Sequence, residues 1–562
     1  VSLHPEPIRP VPEHTVRVAR AAFPRGDNTY MRMRDEMGVI WEDEDFTPLF
    51  PTRGQPALAP WRLALVTVMQ FAENLSDRQA ANAVRARIDW KYALSLELTD
   101  PGFDFSVLSE FRSRLVEGAG EQLLLEKMLS RFKERGWVKA RGSQRTDSTH
   151  VLAAVRALNR LELVGETLRA ALNALAVVAP EWLAELAPSD WFERYSRPVD
   201  EYRLPKGIAA RKEYAEIIGA DGMKLLSAVD AVNGEDASSS PNSLKKLPEL
   251  PAVLLLRRIW EDQYHIADGE ARWREAKDLP PAGSRSGSPY DPDARFGNKR
   301  SITWTGYKLH LTETCGEDEP HIITRVETTQ AHLSDVDQTR RIHEDLARRG
   351  LLPEEHVADA GFVDGELLVK SQAEYGVELV GPVRPNVGWQ ARVEGGYDLT
   401  RFEVDWEAEK VICPEGQTSN SWSPKVDKWG NKAIQVKFSR TACGKCESRA
   451  LCTRARGEAR TLTLRSKEEH EIIQSVRARQ GTAEWKEGYD KRAGVEGSFS
   501  QSDRICGLRR ARYRGLAKVR LEHVTTAAAL NVVRTVQWLR GVPHAKTRTS
   551  RFAALKTSPS LC

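Results

Sequence analysis

The sequence predicts an α/β protein whose sheet is assembled from segments lying far apart in the chain. Three observations carry this. The stretch from Ser143 to Val155 breaks a helical pattern with Thr146, Thr149 and Val151, which favour a strand. Two further runs, Ser301 to Thr314 and His321 to Thr329, flank the turn-rich Gly316 to Pro320 and predict a hairpin. Short apolar runs at His356 to Val357 and Val377 to Val383 then alternate with helical patterns.

In chain order, residues 1–54 are rich in Pro and charge without clear periodicity and are read as an N-terminal arm that Trp41, Phe46, Leu49 and Phe50 can anchor. Residues 55–135 are expected to form a small helical domain. Leu63, Val66, Gln70 and Phe71 share a stripe, and Ser76 with Gln79 forms a capping box. Ser106 is expected to cap a third helix carrying Leu108, Phe111 and Leu115 inward and Arg112 and Arg114 outward. Residues 136–383 hold the sheet. Within them, 155–300 is mostly helical insertion and linker, with a polar break at Ser238 to Ser243 and a flexible connector from Gly283 to Gly297.

A helix from about Ser334 to Arg349 follows the hairpin, and a second begins near Asp364. Read as three strands, helix, strand, helix, strand, this order predicts a ribonuclease-H-like core with a helical insertion after its first strand. Residues 384–465 form a cysteine-containing insertion, and 466–545 hold the last catalytic helix and a basic helical region. That last helix is capped by Ser466 with Glu469 and is expected to run unbroken to Glu496. Residues 546–562 are read as a flexible tail.

At 562 residues the chain is long enough for several cores. Its 83 Lys and Arg nearly cancel its 79 Asp and Glu, so any argument for nucleic-acid binding must come from local clustering. No apolar run reaches the roughly 20 residues of a membrane-spanning helix and no secretory pattern opens the chain, which predicts a cytoplasmic protein. Seven cysteines are too sparse for a disulfide scaffold.

The predicted topology puts Asp147 on the first strand, Asp359 at the end of the fourth and Glu496 on the final helix, where three carboxylates can converge. Hard oxygen ligands suit Mg²⁺, and a pair of such ions can serve phosphodiester cleavage. An arbitrary acidic residue is more often a solvated one, so local context has to decide. Tyr489, Arg492 and Glu496 stand at offsets of three and four, which put them on one face of a helix.

These residues resemble bacterial insertion-sequence DDE transposases that carry a tyrosine, an arginine and a glutamate at this spacing. Asp359 with Ala360, Gly361 and Phe362, the run Gly507 to Lys518, and the Ala-rich helix ending near Asn531 and Arg534 extend the resemblance, as does the helical region around 60–130. It implies Asp147, Asp359 and Glu496 as ligands of Mg²⁺ or Mn²⁺, with Tyr489 and Arg492 positioning phosphate. It further implies double-stranded DNA as substrate, both terminal inverted repeats and target, a homodimer on DNA, and association with the nucleoid when bound. Members with the full signature place a lysine seven residues after the glutamate. Here Asp503 stands there, leaving Arg504 or Lys491 to substitute. His150 reads as a strand residue near the site and not as a ligand. The competing readings are a domesticated DNA-binding protein and a nuclease that cuts without joining.

Arg504, Arg509, Arg510, Arg512, Arg514, Lys518 and Arg520 form a cationic run with no acidic residue between them. They predict contact with the DNA backbone, against the plainer reading of a solvated helix face. Cys413, Cys443, Cys446 and Cys452 have spacings that suit a structural Zn²⁺ site, the alternative being four free thiols. Cys315, Cys506 and Cys562 read as ordinary thiols. Trp389, Trp406, Trp422 and Trp429 read as core aromatics of the insertion, with stacking on an unpaired base as the other use.

Overall fold

A computed structural model describes residues 1–232, 244–299, 301–427, 430–544 and 552. The Ser-rich break at 238–243, Trp429, Cys562 and, apart from residue 552, the expected tail lie outside the described residues.

Strand β1 (Ser143–Leu152) is the centre of the main sheet. Arg160–Val178, Pro180–Leu186, Ser189–Tyr195, Ile208–Ala231 and Pro251–Gln263 then build a helical insertion closed by a small hairpin, β2 (Tyr264–Ala267) and β3 (Glu270–Trp273). The insertion has its own core around Val164, Leu168, Leu225 and Trp260. Its helices approach closely where Gly219 and Gly222 face the rings of Tyr264 and Trp260. The chain returns to the sheet as β4 (Arg295–Lys299), β5 (Ile302–Thr314), β6 (Ile323–Gln330), β7 (Glu355–Ala358) and β8 (Glu378–Val380).

The sheet order is β6, β5, β1, β7, β8, with β4 on the same edge of β5 as β6. The pairs β6 with β5 and β5 with β1 are antiparallel, whereas β1 with β7 and β7 with β8 are parallel. The predicted hairpin and the two later strands are all present. One strand, β4, was not foreseen. It begins inside the expected flexible connector, which is ordered. There Tyr307 donates to Asp291 at 2.5 Å and Arg295 to Ser286 at 2.6 Å. Polar side chains seldom signal order in a sequence, yet these are buried and paired.

One face of the sheet receives the helices Ala493–Cys506 and Leu516–Leu539. On the other, Thr146 of β1 meets the Thr312 hydroxyl at 2.7 Å and His356 Nε2 at 2.6 Å, and His356 Nδ1 meets His343 at 2.8 Å. His343 belongs to the helix Val336–Arg348, which therefore covers this face. Burial pushes both imidazoles down, so they serve as neutral hydrogen-bonding groups.

The N-terminal helices pack on the far side of Leu516–Leu539. Within them the Ser76 and Gln79 capping box forms as predicted. Three expectations change. Residues 13–22 form a helix, and Tyr30, Met33, Met37, Trp41 and Phe46 are buried in the main core, so the expected arm is folded onto the helical domain. Asp104, not Ser106, opens the helix Ser106–Glu117, because its carboxylate accepts the Ser106 N–H at 2.9 Å. Arg112 points inward, ion-paired with Asp77 at 2.5 Å and lying over the Tyr513 ring.

Residues 384–465 carry β9 (Glu403–Asp405), β10 (Lys410–Ile412), β11 (Ser421–Val426), β12 (Lys432–Lys437) and β13 (Thr461–Leu464) around a small core of Phe402, Val411, Val436 and Leu462. After it, the single long helix expected from Ser466 is three helices: Lys467–Arg479, Ala483–Asp490 and Ala493–Cys506. Thr482 restarts the chain by accepting the Trp485 N–H, and a tight turn in which Arg492 N–H donates to Tyr489 separates the last two.

Gly306 lies where β5 leaves β1. Its φ is +155°, and a Cβ there would collide with the Val151 carbonyl and stand 2.7 Å from Ala153 N. Backbone cannot yield as a flexible side chain can. Gly306→Ala is therefore expected to destabilise the protein by ~3 kcal/mol or more, read as a lowered midpoint in chemical denaturation.

Candidate active site

The ladder between the parallel strands β1 and β7 ends at Thr146 and Ala358, and the next residue on each strand is an aspartate, β1 itself running on beside β5. Asp147 and Asp359 thus stand on neighbouring strands, close enough for the charge of one to act on the other. Asp359 opens the short turn Ala360–Phe362, and its Oδ1 accepts the Gly361 N–H at 2.7 Å. Asp147 is buried, and its Oδ1 accepts the Ser148 N–H at 2.7 Å.

Glu496 arrives from a separate element, in the first turn of Ala493–Cys506, with Arg492 at the preceding cap. Arg492 Nη1 donates to Asp147 Oδ2 at 2.7 Å and Nη2 to Glu496 Oε1 at 3.3 Å, so one guanidinium spans two of the three acids. Tyr489 stacks on Trp485 with ring centroids 4.8 Å apart, and Arg492 lies 5.7 Å from the Tyr489 ring centre. The shared helical face inferred for Tyr489, Arg492 and Glu496 is thus replaced by a turn between two helices, which still gathers the three. The side chain of Glu496 is 66% exposed, on the solvent side of the cluster.

Electrostatics bear out a crowded acidic site. Burial pushes the Asp147 carboxyl above its ordinary range, Lys299, the Ser148 N–H and Arg492 pull it back, and the charge of Asp359 adds to the rise. Burial works against the charged form of Arg492, but Asp147, Tyr489 and Glu496 outweigh it and hold the guanidinium above its ordinary range.

Sequence reasoning missed the residues that hold this geometry. Glu313 of β5 is fully buried. Arg145 donates to it at 2.7 Å, Arg534 at 2.8 Å and Ser498 at 2.6 Å. Burial opposes the Glu313 charge, yet the two arginines and Ser498 prevail and keep its carboxyl low. Arg145 also donates to the Lys491 carbonyl at 2.8 Å, fixing the turn before Arg492. The available signal was period two, since Arg145 shares a sheet face with Asp147. Asp335, missed as well, accepts from Ser148 Oγ at 3.0 Å and pairs with Lys308 at 2.9 Å. A Cβ on Gly361 would sit 3.3 Å from Asp335 Oδ2 and 3.7 Å from Asp359 Oδ1, so Asp335 borders the cleft. His150, a residue of β1, packs on Trp304 with ring centroids 5.6 Å apart.

Lys491 lies 3.6 Å from Glu355, and Asp503 accepts the Arg509 N–H at 3.1 Å. Within the basic run the fold separates roles. Arg504, Arg509, Arg510, Arg514 and Lys518 are exposed. Arg512 lies over the Phe71 ring and donates to Asn74 and to the Leu75 carbonyl, and Arg520 pairs with Glu327 at 3.1 Å. Pairing acids absent from the run are thus supplied by other elements. Residues 509–511 bond to the end of β1 at Leu152, which brings the run close to the cleft.

Cys413, Cys443 and Cys452 pack against the small core of the insertion, and Cys413 Sγ accepts the Gln417 N–H at 3.3 Å. Burial first, with the three neighbouring thiols adding, pushes the Cys452 thiol up to about 11 against the pull of Arg460. Among the described residues no group of three or more His, Cys, Asp and Glu is set to hold a metal ion. The geometry therefore does not support the zinc site expected from the cysteine spacing, and at the acids it is Arg492 that bridges Asp147 and Glu496. Of the insertion's tryptophans, Trp406 and Trp422 pack edge to face at 5.6 Å and Arg454 lies over Trp389. Cavities of about 490 and 610 Å³ lie beside the insertion, lined by residues such as Lys432 and Glu469, and not at the acids. Among the described residues no helix is long and apolar enough to cross a membrane.

Comparison with known families gives the geometry its context. Residues 412–536 match the transposase DDE domain, a span that holds Tyr489, Arg492, Glu496 and the basic run. Residues 19–114 match a second transposase domain (DUF772). Both matched spans are transposase domains, and together they support an insertion-sequence DDE transposase. No curated protein and no solved structure matches the chain. Asp147 and Asp359 lie outside both matched spans, so their assignment stands on strand geometry.

Two stability tests follow from these contacts. Glu313→Gln leaves two buried arginines short of a partner and is expected to lower the apparent melting temperature steeply, by the equivalent of about 3–5 kcal/mol. Glu522, which accepts the Arg512 N–H at 3.0 Å, behaves in the opposite sense. Burial pushes its carboxyl up to about 7, against the N–H of Arg512, the Arg512 charge and the N–H of Tyr513. A carboxyl raised in the fold contributes its full stability below the ordinary value of 4.5 and loses it as pH rises to about 7. Glu522→Gln should therefore melt higher than the parent at about pH 8 and equally near pH 4.5 in a series of thermal melts.

Proposed function

We propose that this transposase cleaves DNA at the ends of its element and joins the freed 3′ ends to target DNA, using Asp147, Asp359 and Glu496. One observation carries the reading: Asp147 and Asp359 are the first residues beyond the ladder that joins two adjacent parallel strands, and Arg492 ties Glu496 to Asp147. On this reading the sheet is a ribonuclease-H-like core. Its order β6, β5, β1, β7, β8, with two antiparallel pairs followed by two parallel ones, supports that.

The donors are carboxylate oxygens facing a cation, which fits the hard-oxygen preference of Mg²⁺ or Mn²⁺. When bound by the three acids, such ions supply charge neutralisation at the attacking and leaving oxygens of a phosphodiester. The chain's own residues do the rest. Arg492, with planar paired donors, turns from carboxylate to phosphate, and the Trp485 and Tyr489 stack holds it in reach. Arg504, Arg509, Arg510, Arg514 and Lys518 hold the duplex backbone, with Arg512 and Arg520 keeping their loop and helix in place. The helical region at 55–135 is the accessory domain, and a homodimer brings two element ends together.

Asp359→Ala is expected to bind duplexes taken from the DNA flanking the coding region as tightly as the parent while losing cleavage and strand-transfer products, measured by mobility shift and by gel assay in Mg²⁺. Unchanged Mg²⁺-dependent cleavage would sink the assignment.

A further inference from the structure

The hairpin of β4 and β5 runs past the end of β1 and bends back at Gly306. Trp304, packed on the His150 ring and against Gly297, holds the bend. The result is a lysine delivered to the cleft. Lys299 Nζ lies 3.3 Å from both the carbonyl and the hydroxyl oxygen of Ser148, the residue next to Asp147.

The other cations around the acids are already engaged. Arg492 spans Asp147 and Glu496, Lys308 is held by Asp335 at 2.9 Å and the Leu333 carbonyl at 2.7 Å, and Lys491 faces Glu355. Arg504 lies two turns along the helix from Glu496. Among the described residues Lys299 makes no salt bridge, its two hydrogen-bond partners are neutral oxygens, and its charge acts on Asp147 and Asp335 from a distance. A single phosphodiester carries one negative charge shared by two non-bridging oxygens, and an unpaired ammonium in a partly buried cleft is a strong partner for it.

We infer that Lys299 binds a non-bridging oxygen of the reacting phosphodiester beside Asp147, the hairpin of β4 and β5 acting as an arm that carries this cation to the site. The inference rests on the transposase reading above. Lys299 itself stands between the expected connector, Gly283 to Gly297, and the run Ser301 to Thr314 that was expected as a strand.

The test uses the full chain, duplexes from the DNA flanking the coding region, and the same duplexes with a methylphosphonate at the mapped cleavage position. Lys299→Ala should melt like the parent, slow single-turnover cleavage about 100-fold and lower the slope of log affinity against log salt by about one. Lys299→Arg should recover most of the rate. The neutral phosphonate should weaken binding by the parent and leave binding by Lys299→Ala unaltered, a coupling that a merely structural role would not produce. Should Lys299→Ala melt lower, Lys299→Gln, which can still donate to Ser148, decides the matter: cleavage as slow as the alanine variant's supports the contact, and parental cleavage overturns it. Cleavage by Lys299→Ala within about twofold of the parent, or an equal phosphonate penalty in both proteins, also overturns it. If Asp359→Ala is inactive in the same assay, that failure belongs to Lys299 alone; if Asp359→Ala still cleaves, the transposase site and this contact fall together.

Discussion

Everything in the candidate site depends on how a buried negative charge is satisfied. Glu313 has no access to water, and three elements send groups to it: Arg145 from β1, Ser498 from the helix that bears Glu496, and Arg534 from the long C-terminal helix. Such a cluster stabilises little by its charges alone, because desolvation cancels most of the Coulomb gain. What it provides is specification, since any other placement of these elements would leave an uncompensated charge in the core. The position of Glu496 relative to Asp147 is set by this cluster, residues away from either.

Much of the fold was legible because its signals were local. β-branched runs marked β1, β5 and β6, and turn residues marked the hairpin. Asp359 was found because it sits where a strand pattern gives way to a turn, whereas Asp147, in the middle of β1, was found from the expected topology. Residues 467–506 show the limit of such reasoning. Helical offsets grouped Tyr489, Arg492 and Glu496 correctly, but the turn at Lys491 that gathers them is fixed by Arg145, more than three hundred residues earlier in the chain. Period and propensity carry no information about a partner so distant. The same holds for Arg112, which looked like a solvated arginine until Asp77 and Tyr513 were brought to it. The cysteine spacing does bring Cys413, Cys443 and Cys446 near Cys452, yet among the described residues they form no group set to hold a metal ion.

The site as it stands is held by protein cations. Two acids share one guanidinium, and the third lies one strand away, close enough for its charge to be felt by Asp147. The cations of Lys299 and Arg492 offset part of the burial and repulsion that raise the Asp147 carboxyl. Arg492 is suited to this because it reaches two carboxylates at once from a turn that is itself fixed.

The helix Leu516–Leu539 is buried along most of its length. On one side its Asn531 exchanges two hydrogen bonds with Ile323 of β6, and on the other it packs against Pro60–Ala72 and Leu123–Glu134. The N-terminal region and the sheet therefore share a single structural wall. Neither could be traded for a foreign module by simple recombination, because whichever part kept the helix would expose an apolar face shaped for the one it lost. Lineages built on this plan should diversify through the two insertions, whose cores are their own.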